Sequence, residues 1–178
     1  IVRRHRLIES FLAEVLGMDW DEVHEDAEQL EHAVSARLIE RIDEFLGRPQ
    51  YDPHGDPIPQ PDGQIPRKPA RALADCPSGS RFELAQVTDQ SEDFLRYLKS
   101  SGFSLGCRGQ VVANRPEAGI MTLAIDDREV SLGVEAAQKI LVSHGSENRT
   151  ALSSESVELR STAVPAPHSH TASRTTVR

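Results

Sequence analysis

The chain has 178 residues, a net charge of −8 and an apolar content of 38%. That length suffices for one domain, or for a small domain with a second module, and the low apolar content predicts that part of the chain is disordered. The acidic balance argues against nucleic-acid binding by this chain alone, because phosphate contacts need a basic surface. No apolar run approaches the length of a membrane span, and two distant cysteines without a CxxC spacing favour a reducing, cytoplasmic location.

Two amphipathic helices are predicted in the first 47 residues. Apolar residues follow helical spacing up to Leu16, and Gly17 stands where a C-terminal glycine cap is expected. Asp19 is predicted to cap a second helix, whose spacing continues to Leu46 before Gly47. Two helices joined by a short turn form an αα-hairpin. A lone hairpin buries too little surface to be stable, so we expect a homodimer through residues 1–47.

Residues 48–79 contain most of the chain's eleven prolines and have almost no hydrophobic periodicity. This composition predicts a Pro-rich linker. Within the linker, residues 51–59 carry closely spaced Asp, Gly and Pro residues, which predict an ordered turn.

A β-rich domain is predicted over residues 80–142. Its short apolar segments are separated by Gly, Asn and Asp turns, which is typical of a small β-barrel. The predicted strands are Arg81–Val87, Gln110–Ala113, Ile120–Ile125, Glu129–Leu132 and Ala136–Val142, with a short helix at Ser91–Leu98. Residues 143–178 are rich in Ser, Thr and Arg and are predicted to be a disordered tail. The fold class is therefore α+β.

Histidine and glutamate residues recur on one face of each predicted helix. They are His5 and Glu9, at positions i and i+4 of the first helix, and His24, Glu28, Glu31 and His32, at positions i, i+4, i+7 and i+8 of the second. Singly, each is more typical of an ordinary exposed helix residue. If the two faces meet, four to six nitrogen and oxygen donors converge, and such a set without thiolates favours Mn²⁺ or Fe²⁺. The sequence therefore predicts a divalent-metal site.

Catalytic templates fit the same residues poorly. The segment His24–Glu28 resembles the H-E-x-x-H motif of zinc proteases, but Glu28 replaces the second histidine. Di-iron bundles need Glu-x-x-His, whereas Glu31 stands three residues after Glu28. A nucleophile triad and a Gly-rich phosphate loop are also lacking in the sequence. We therefore do not expect an enzyme, and a hydrolytic metalloenzyme is kept only as a third hypothesis.

The segments RHRLIESFL (Arg4–Leu12) and VHEDAEQLEH (Val23–His32) resemble the metal-binding and dimerisation domain of the diphtheria-toxin-repressor family. That family comprises bacterial iron- and manganese-dependent transcriptional repressors. PHGDPIP (Pro53–Pro59) is similar to the turn that follows this domain. Residues 80–142, including Val87–Gln90 and Phe94–Leu98, look like the family's SH3-like (FeoA-like) domain.

The resemblance implies two metal sites. A primary, regulatory site would use Glu28, Glu31 and His32. A second site would use His5, Glu9 and His24, with donors from the turn and the barrel: His54, Asp52 and, on a looser alignment, Asp89 or Gln90. The iron-sensing branch has cysteine where Glu28 stands, so a carboxylate there points to Mn²⁺, with Fe²⁺ as the alternative. The family's usual cysteine before the turn's proline is Asp52 here.

The family's N-terminal winged helix-turn-helix domain is not found in this sequence. The chain is therefore expected to be the metal-sensing and dimerisation portion of a repressor that controls metal-ion homeostasis, and operator DNA would be contacted only through the missing domain. A fragment, a truncated gene product and a stand-alone protein all remain open. The alternative function is a metal-binding dimerisation or adaptor module without DNA binding.

Overall fold

Three helices form the first part of the computed structural model, which describes residues 1–144. They are α1 (Val2–Leu16), α2 (Val23–Ala33) and α3 (Ala36–Phe45). The prediction of one continuous second helix is wrong, because Val34 and Ser35 are extended. The hydroxyl of Ser35 accepts a hydrogen bond from the backbone N–H of Leu38 at 3.3 Å and so starts α3.

The connection between α1 and α2 also differs from the prediction. Gly17 adopts the expected left-handed conformation (φ 69°) at the end of α1. However, α2 begins only at Val23, and residues 19–22 form a turn in which the N–H of Glu22 donates to the carbonyl of Asp19 at 2.9 Å. The carboxylate of Asp19 does not cap a helix, because it pairs with Lys99 at 2.5 Å.

The three helices share one apolar core. Its buried members come from all three helices and from the segment that follows them, and are Leu7, Ile8, Leu12, Val23, Ala27, Ile39, Ile42 and Ile58. Burial of each large aliphatic side chain stabilises the fold by about 1.5–3 kcal/mol. An ion pair between Arg3 and Asp43 at 2.8 Å joins α1 to α3 at the edge of this core.

The segment after α3 contains the ordered turn that the sequence predicted. One carboxylate oxygen of Asp52 accepts the N–H groups of His54 and Asp56, both at 2.9 Å, and Tyr51 pairs with Pro57 in an isolated β-bridge. Gly55 has φ +86°, and a Cβ atom there would lie 2.1 Å from the carbonyl oxygen of Ala85. Only glycine therefore allows the turn to lie this close to the following sheet.

Within the described residues, the second part of the chain is a six-stranded antiparallel sheet with two short α-helices and two single-turn 3₁₀ helices, Leu73–Asp75 and Pro116–Ala118. The elements are β1 (Arg71–Ala72), β2 (Arg81–Val87), α4 (Glu92–Ser100), β3 (Arg108–Arg115), β4 (Ile120–Ile125), β5 (Arg128–Gly133), α5 (Val134–Gln138) and β6 (Ile140–His144). The strand order is β1-β6-β2-β3-β4-β5. Strands β2 and β4 have the predicted bounds.

The sheet differs from the prediction in several details, and β3 and β5 both extend beyond the predicted Gln110–Ala113 and Glu129–Leu132. The sheet begins at Arg71, inside the segment predicted to be linker, because β1 pairs with β6. Val134–Gln138 is helical where a strand was predicted to start at Ala136, in keeping with the high helix propensity of alanine. Strand β6 also continues to His144, past the predicted end at residue 142. The remainder of the predicted tail lies outside the described residues.

Contacts join the sheet to the helices. Trp20, between α1 and α2, packs against the apolar core of the sheet. Lys99 of α4 pairs with Asp19 and lies 3.4 Å from a carboxylate oxygen of Asp21. The N–H of Val87 donates to the carbonyl of His54 at 2.9 Å, so β2 holds the turn directly. Over residues 1–144, none of the helices combines the length and hydrophobicity that a bilayer span needs.

Candidate metal centre

Three side chains from α1 and α2 converge in a group called here the helix triad: His5, Glu9 and His24. His5 and Glu9 lie one turn apart on α1, so their side chains share a face. Glu9 Oε1 lies 3.0 Å from His5 Nε2 and 3.0 Å from His24 Nδ1. The two ring nitrogens are 3.1 Å apart. These distances bring His5 and Glu9 of α1 against His24 of α2.

The dimensions of the helix triad suit an octahedrally coordinated ion. Neighbouring ligands with bonds of about 2.1 Å lie about 3.0 Å apart when their bonds are perpendicular. The three donor–donor distances are 3.0, 3.0 and 3.1 Å. Two imidazoles and one carboxylate on one face of an ion form a common site for Fe²⁺ and similar divalent metals.

A second group, called here the turn triad, consists of Glu9, Asp52 and His54. All three are buried, with exposed fractions of 1%, 3% and 0%. Their inward atoms, Glu9 Oε2, Asp52 Oδ2 and His54 Nδ1, have no hydrogen-bond partner in the described part of the chain. Asp52 Oδ2 does have an ionic contact, with Arg6 Nε at 3.5 Å. Each unsatisfied buried polar atom costs about 1–3 kcal/mol. A cation among these atoms would satisfy all of them.

The orientation of the His54 ring is fixed by Trp20. His54 Nε2 donates to the backbone carbonyl of Trp20 at 2.7 Å, so Nε2 carries a proton and Nδ1 is the nitrogen that faces Glu9 Oε2, at 3.9 Å. The indole ring stacks on the imidazole with 6.4 Å between ring centroids. Such a hydrogen bond behind the ligating nitrogen is typical of histidines that hold metals.

Protons and a cation would compete for these donors. Burial raises the pKa of Asp52 to about 7, and the carboxylate of Glu9 adds to the effect. A hydrogen bond with Glu9 raises the pKa of His5. Burial by itself raises the pKa of Glu9, but hydrogen bonds from His5 and His24 outweigh it and leave that pKa below its usual value. The protons on Asp52 and His5 must therefore leave when a cation binds.

The residues implied for the regulatory site lie behind the helix triad. Glu31 Oε2 lies 3.1 Å from His5 Nδ1, and Glu28 Oε1 lies 3.6 Å from His24 Nε2. His32 is 82% exposed, with Nε2 3.3 Å from Glu31 Oε1. Converging donor sets among residues 1–144 are the helix triad and the turn triad, and neither includes Glu28, Glu31 or His32. Two of these carboxylates thus face the outer nitrogens of triad histidines.

Side chains from α1 and from the sheet and the segment after β2 hold the turn in place, and the sequence singled out only Gln90 among them, as a looser metal-ligand candidate. Arg6 binds the Asp56 carboxylate at 3.0 Å and the Pro57 carbonyl at 2.6 Å. Gln86 and Gln90 donate to the two oxygens of Asp56. Glutamine and arginine at such spacings carry no sequence signal for this role, because their partner is distant in the chain.

Of the two looser candidates in the barrel, neither faces a triad. Asp89 pairs with Lys139 at 2.7 Å and accepts the N–H of Ser91, so its carboxylate is already used. Those hydrogen bonds, that of Lys139 first, lower the pKa of Asp89 to about 2. Gln90 contacts Asp56 rather than a triad donor.

Comparisons with known proteins agree with the two-part structure. Residues 1–60 match the family model described as the metal binding and dimerisation domain of the iron dependent repressor, and residues 71–144 match the FeoA domain. The iron-dependent repressor IdeR of Mycobacterium leprae is 29% identical to this chain, in an alignment that covers 80% of this chain. The chain spans 66% of the length of that curated relative.

Solved structures are also similar. One is described as a manganese-dependent transcriptional repressor, and it is 54% identical to this chain with a TM-score of 0.77. The match covers 80% of this chain and 77% of the other chain. A second, described as such a repressor in complex with manganese, is 53% identical with a TM-score of 0.75, covering 80% of this chain and 68% of the other.

Proposed function

Because the chain belongs to the family of iron- and manganese-dependent transcriptional repressors, we propose that it is the metal-sensing and dimerisation portion of a manganese-dependent member controlling metal-ion homeostasis. The observation that carries the proposal is the set of buried, unpartnered acceptor atoms on Glu9, Asp52 and His54 next to the helix triad. Family membership favours this function over a metal-binding adaptor without DNA binding, and it offers no support for an enzyme.

We propose as ligands the residues of both triads and, on the family resemblance, a regulatory site of Glu28, Glu31 and His32. The regulatory site is supported by the proximity of Glu31 Oε1 to His32 Nε2 at 3.3 Å, with Glu28 one turn earlier on α2. We assign metal binding and dimerisation to residues 1–47, with the linker turn contributing ligands, and we take the sheet as the SH3-like domain.

Mn²⁺ is the proposed ion, with Fe²⁺ as the alternative. All candidate ligands are carboxylates and imidazoles, and hard-to-borderline divalent ions favour such donors over thiolates. The similar solved structures are described as manganese-dependent repressors, whereas the curated relative is described as iron-dependent. Both cysteines belong to the sheet's core cluster or pack against it, away from the triads.

The proposed signal is a change in how firmly four parts of the chain are held together. When bound, the ion supplies positive charge that draws the buried carboxylates and imidazoles together. Glu9 belongs to α1 and His24 to α2, while the turn that carries Asp52 and His54 is held by β2. In the whole protein, we propose that this ordering favours the conformation that binds operator DNA, which couples the metal and DNA sites.

The surface proposed for homodimer formation lies on the helices. Several large apolar side chains there are exposed: Val15 and Leu16 at the end of α1, and Leu38 and Phe45 on α3. Phe45 is 71% exposed. Apolar surface of this kind is typical of an interface between subunits.

The test of metal sensing compares Glu9→Ala with Glu14→Ala. Both residues are on α1, but Glu14 is exposed and outside both triads. Isothermal titration of the chain with Mn²⁺ should show strong loss of binding in Glu9→Ala and wild-type binding in Glu14→Ala. Equal binding by the two variants would contradict the metal proposal. Operator binding by the protein from the complete reading frame, measured with and without Mn²⁺, tests the regulatory part, and metal-independent DNA binding would contradict it.

A further inference from the structure

Glu9 belongs to both triads, and it contributes a different oxygen to each. Oε1 faces His5 Nε2 and His24 Nδ1, both at 3.0 Å. Oε2 has no hydrogen-bond partner within residues 1–144 and faces His54 Nδ1 at 3.9 Å. The side chain is 1% exposed, so solvent does not satisfy the second oxygen. One carboxylate thus lies between two separate groups of donors.

We propose that Glu9 bridges two divalent cations, one held by His5 and His24 and the other by Asp52 and His54, so that the triads form one dinuclear centre. The inference rests on the proposed metal binding but is independent of any action on DNA. It differs from a single ion with five ligands and from two sites that function separately.

A single ion shared by all five residues is disfavoured by the placement of the donors. Mutual distances within 4.8 Å occur for two groups of three described residues, and these groups have only Glu9 in common. The helix triad by itself already has the spacing of three neighbouring octahedral positions. The histidines His24 and His54 approach Glu9 at different oxygens, which favours one ion beside each oxygen.

The charges around Glu9 suit two cations. Asp52 adds a second buried carboxylate, and its Oδ2 atom also lacks a hydrogen-bond partner among the described residues. Glu31 stands behind His5 at 3.1 Å and is mostly buried. Arg6 is shared between two carboxylates, because its Nε lies 3.5 Å from Asp52 Oδ2 and another of its guanidinium nitrogens lies 3.0 Å from Asp56. A shared carboxylate reduces the repulsion between neighbouring cations, and paired ions about 3.5–4 Å apart are common in such centres.

The experiment counts bound Mn²⁺ in the 178-residue chain by elemental analysis after equilibrium dialysis and records low-temperature EPR spectra. Two Mn²⁺ ions that share a carboxylate are magnetically coupled, which gives a spectrum distinct from that of isolated Mn²⁺. We expect the coupled spectrum in the wild-type chain. His24→Ala and His54→Ala should each lose one ion and the coupled spectrum, whereas Glu9→Ala should lose two ions. The number of Mn²⁺ ions bound by each variant is compared with the number bound by the wild-type chain. An additional ion at Glu28, Glu31 and His32 would be counted in both and so does not affect the difference.

Two further variants protect the test from failures of folding. Glu9→Gln keeps the volume of the side chain but has only one ligating oxygen, so it should retain no more than one of the two ions and show no coupling. Glu14→Ala should match wild type throughout. A wild-type chain with uncoupled Mn²⁺, or a Glu9→Ala chain that loses only one ion, would overturn the bridge while leaving metal binding intact. A wild-type chain without bound Mn²⁺ would refute the proposed function as well.

Discussion

Replacement of Gly55 by alanine should displace the turn that carries Asp52 and His54. The new Cβ atom would lie 2.1 Å from the carbonyl oxygen of Ala85 and 2.8 Å from the Cα of Gln86. Both contacts are with backbone atoms, so no side-chain rotation can relieve them. The turn and β2 must separate, and that movement breaks the hydrogen bond from the N–H of Val87 to the carbonyl of His54.

The expected loss of stability has two parts. Left-handed backbone costs a residue with a Cβ atom about 1–2 kcal/mol, and overpacking costs about 1–3 kcal/mol more. Gly79 provides the control, because its φ is +87° but a Cβ there meets nothing within 4 Å. Gly79→Ala should therefore lose only the backbone part. A change of about 1 kcal/mol in the free energy of unfolding shifts the melting temperature of a domain this size by about 2–4 °C. The difference in stability between the two variants should therefore be measurable.

The assay is urea unfolding followed by circular dichroism, together with Mn²⁺ titration of each folded variant. Gly55→Ala should unfold at lower urea than Gly79→Ala and should bind Mn²⁺ more weakly, because its turn ligands are displaced. Gly79→Ala should keep wild-type Mn²⁺ affinity. Equal stability and equal affinity in the two variants would show that the close contact between the turn and β2 is unimportant.

Three other outcomes are expected. Mn²⁺ affinity should rise as pH increases from about 6 to 8, because Asp52 and His5, whose pKa values are raised, must lose protons when the ion binds. Titrations in buffers of different ionisation enthalpy measure the released protons. A Mn²⁺ affinity that does not change with pH would contradict the assignment of Asp52 and His5 as ligands. Phe45→Ser should shift the chain from dimer to monomer in light scattering without loss of helix, whereas an unchanged mass would place the interface elsewhere. Leu7→Ala should lower the free energy of unfolding, measured in urea, by about 2–5 kcal/mol because it leaves a cavity in the helical core. A decrease below about 1 kcal/mol, which is typical of a surface substitution, would show that the core collapses around the cavity.

The local sequence pattern was sufficient for much of the fold. Strands β2 and β4 alternate buried and less buried residues, and their bounds were predicted correctly. The break at Ser35 was missed because the apolar spacing continues through it without glycine or proline. Strand β1 was missed because two residues carry no periodicity, and only its pairing with β6 makes it a strand.

The candidate site divides in the same way. Helical spacing places His5 beside Glu9, because residues four apart share a face, and that relation is local. Spacing also placed Glu28, Glu31 and His32 together on α2, yet the side chain of His32 is 82% exposed and Glu31 turns toward His5. Which face of α2 meets α1 depends on how the two helices pack, and the sequence pattern alone does not contain that information.

The sequence by itself therefore determined the donor types and the helix faces from which a metal site could be built. Only the tertiary structure decided that Glu9 lies between two groups, with one oxygen toward His24 and the other toward His54. Only the tertiary structure also decided the proton position on His54, because it depends on the carbonyl of Trp20. The physical reason is that these contacts join α1, α2, the turn and the sheet, whose relative positions come from packing rather than from local chain conformation.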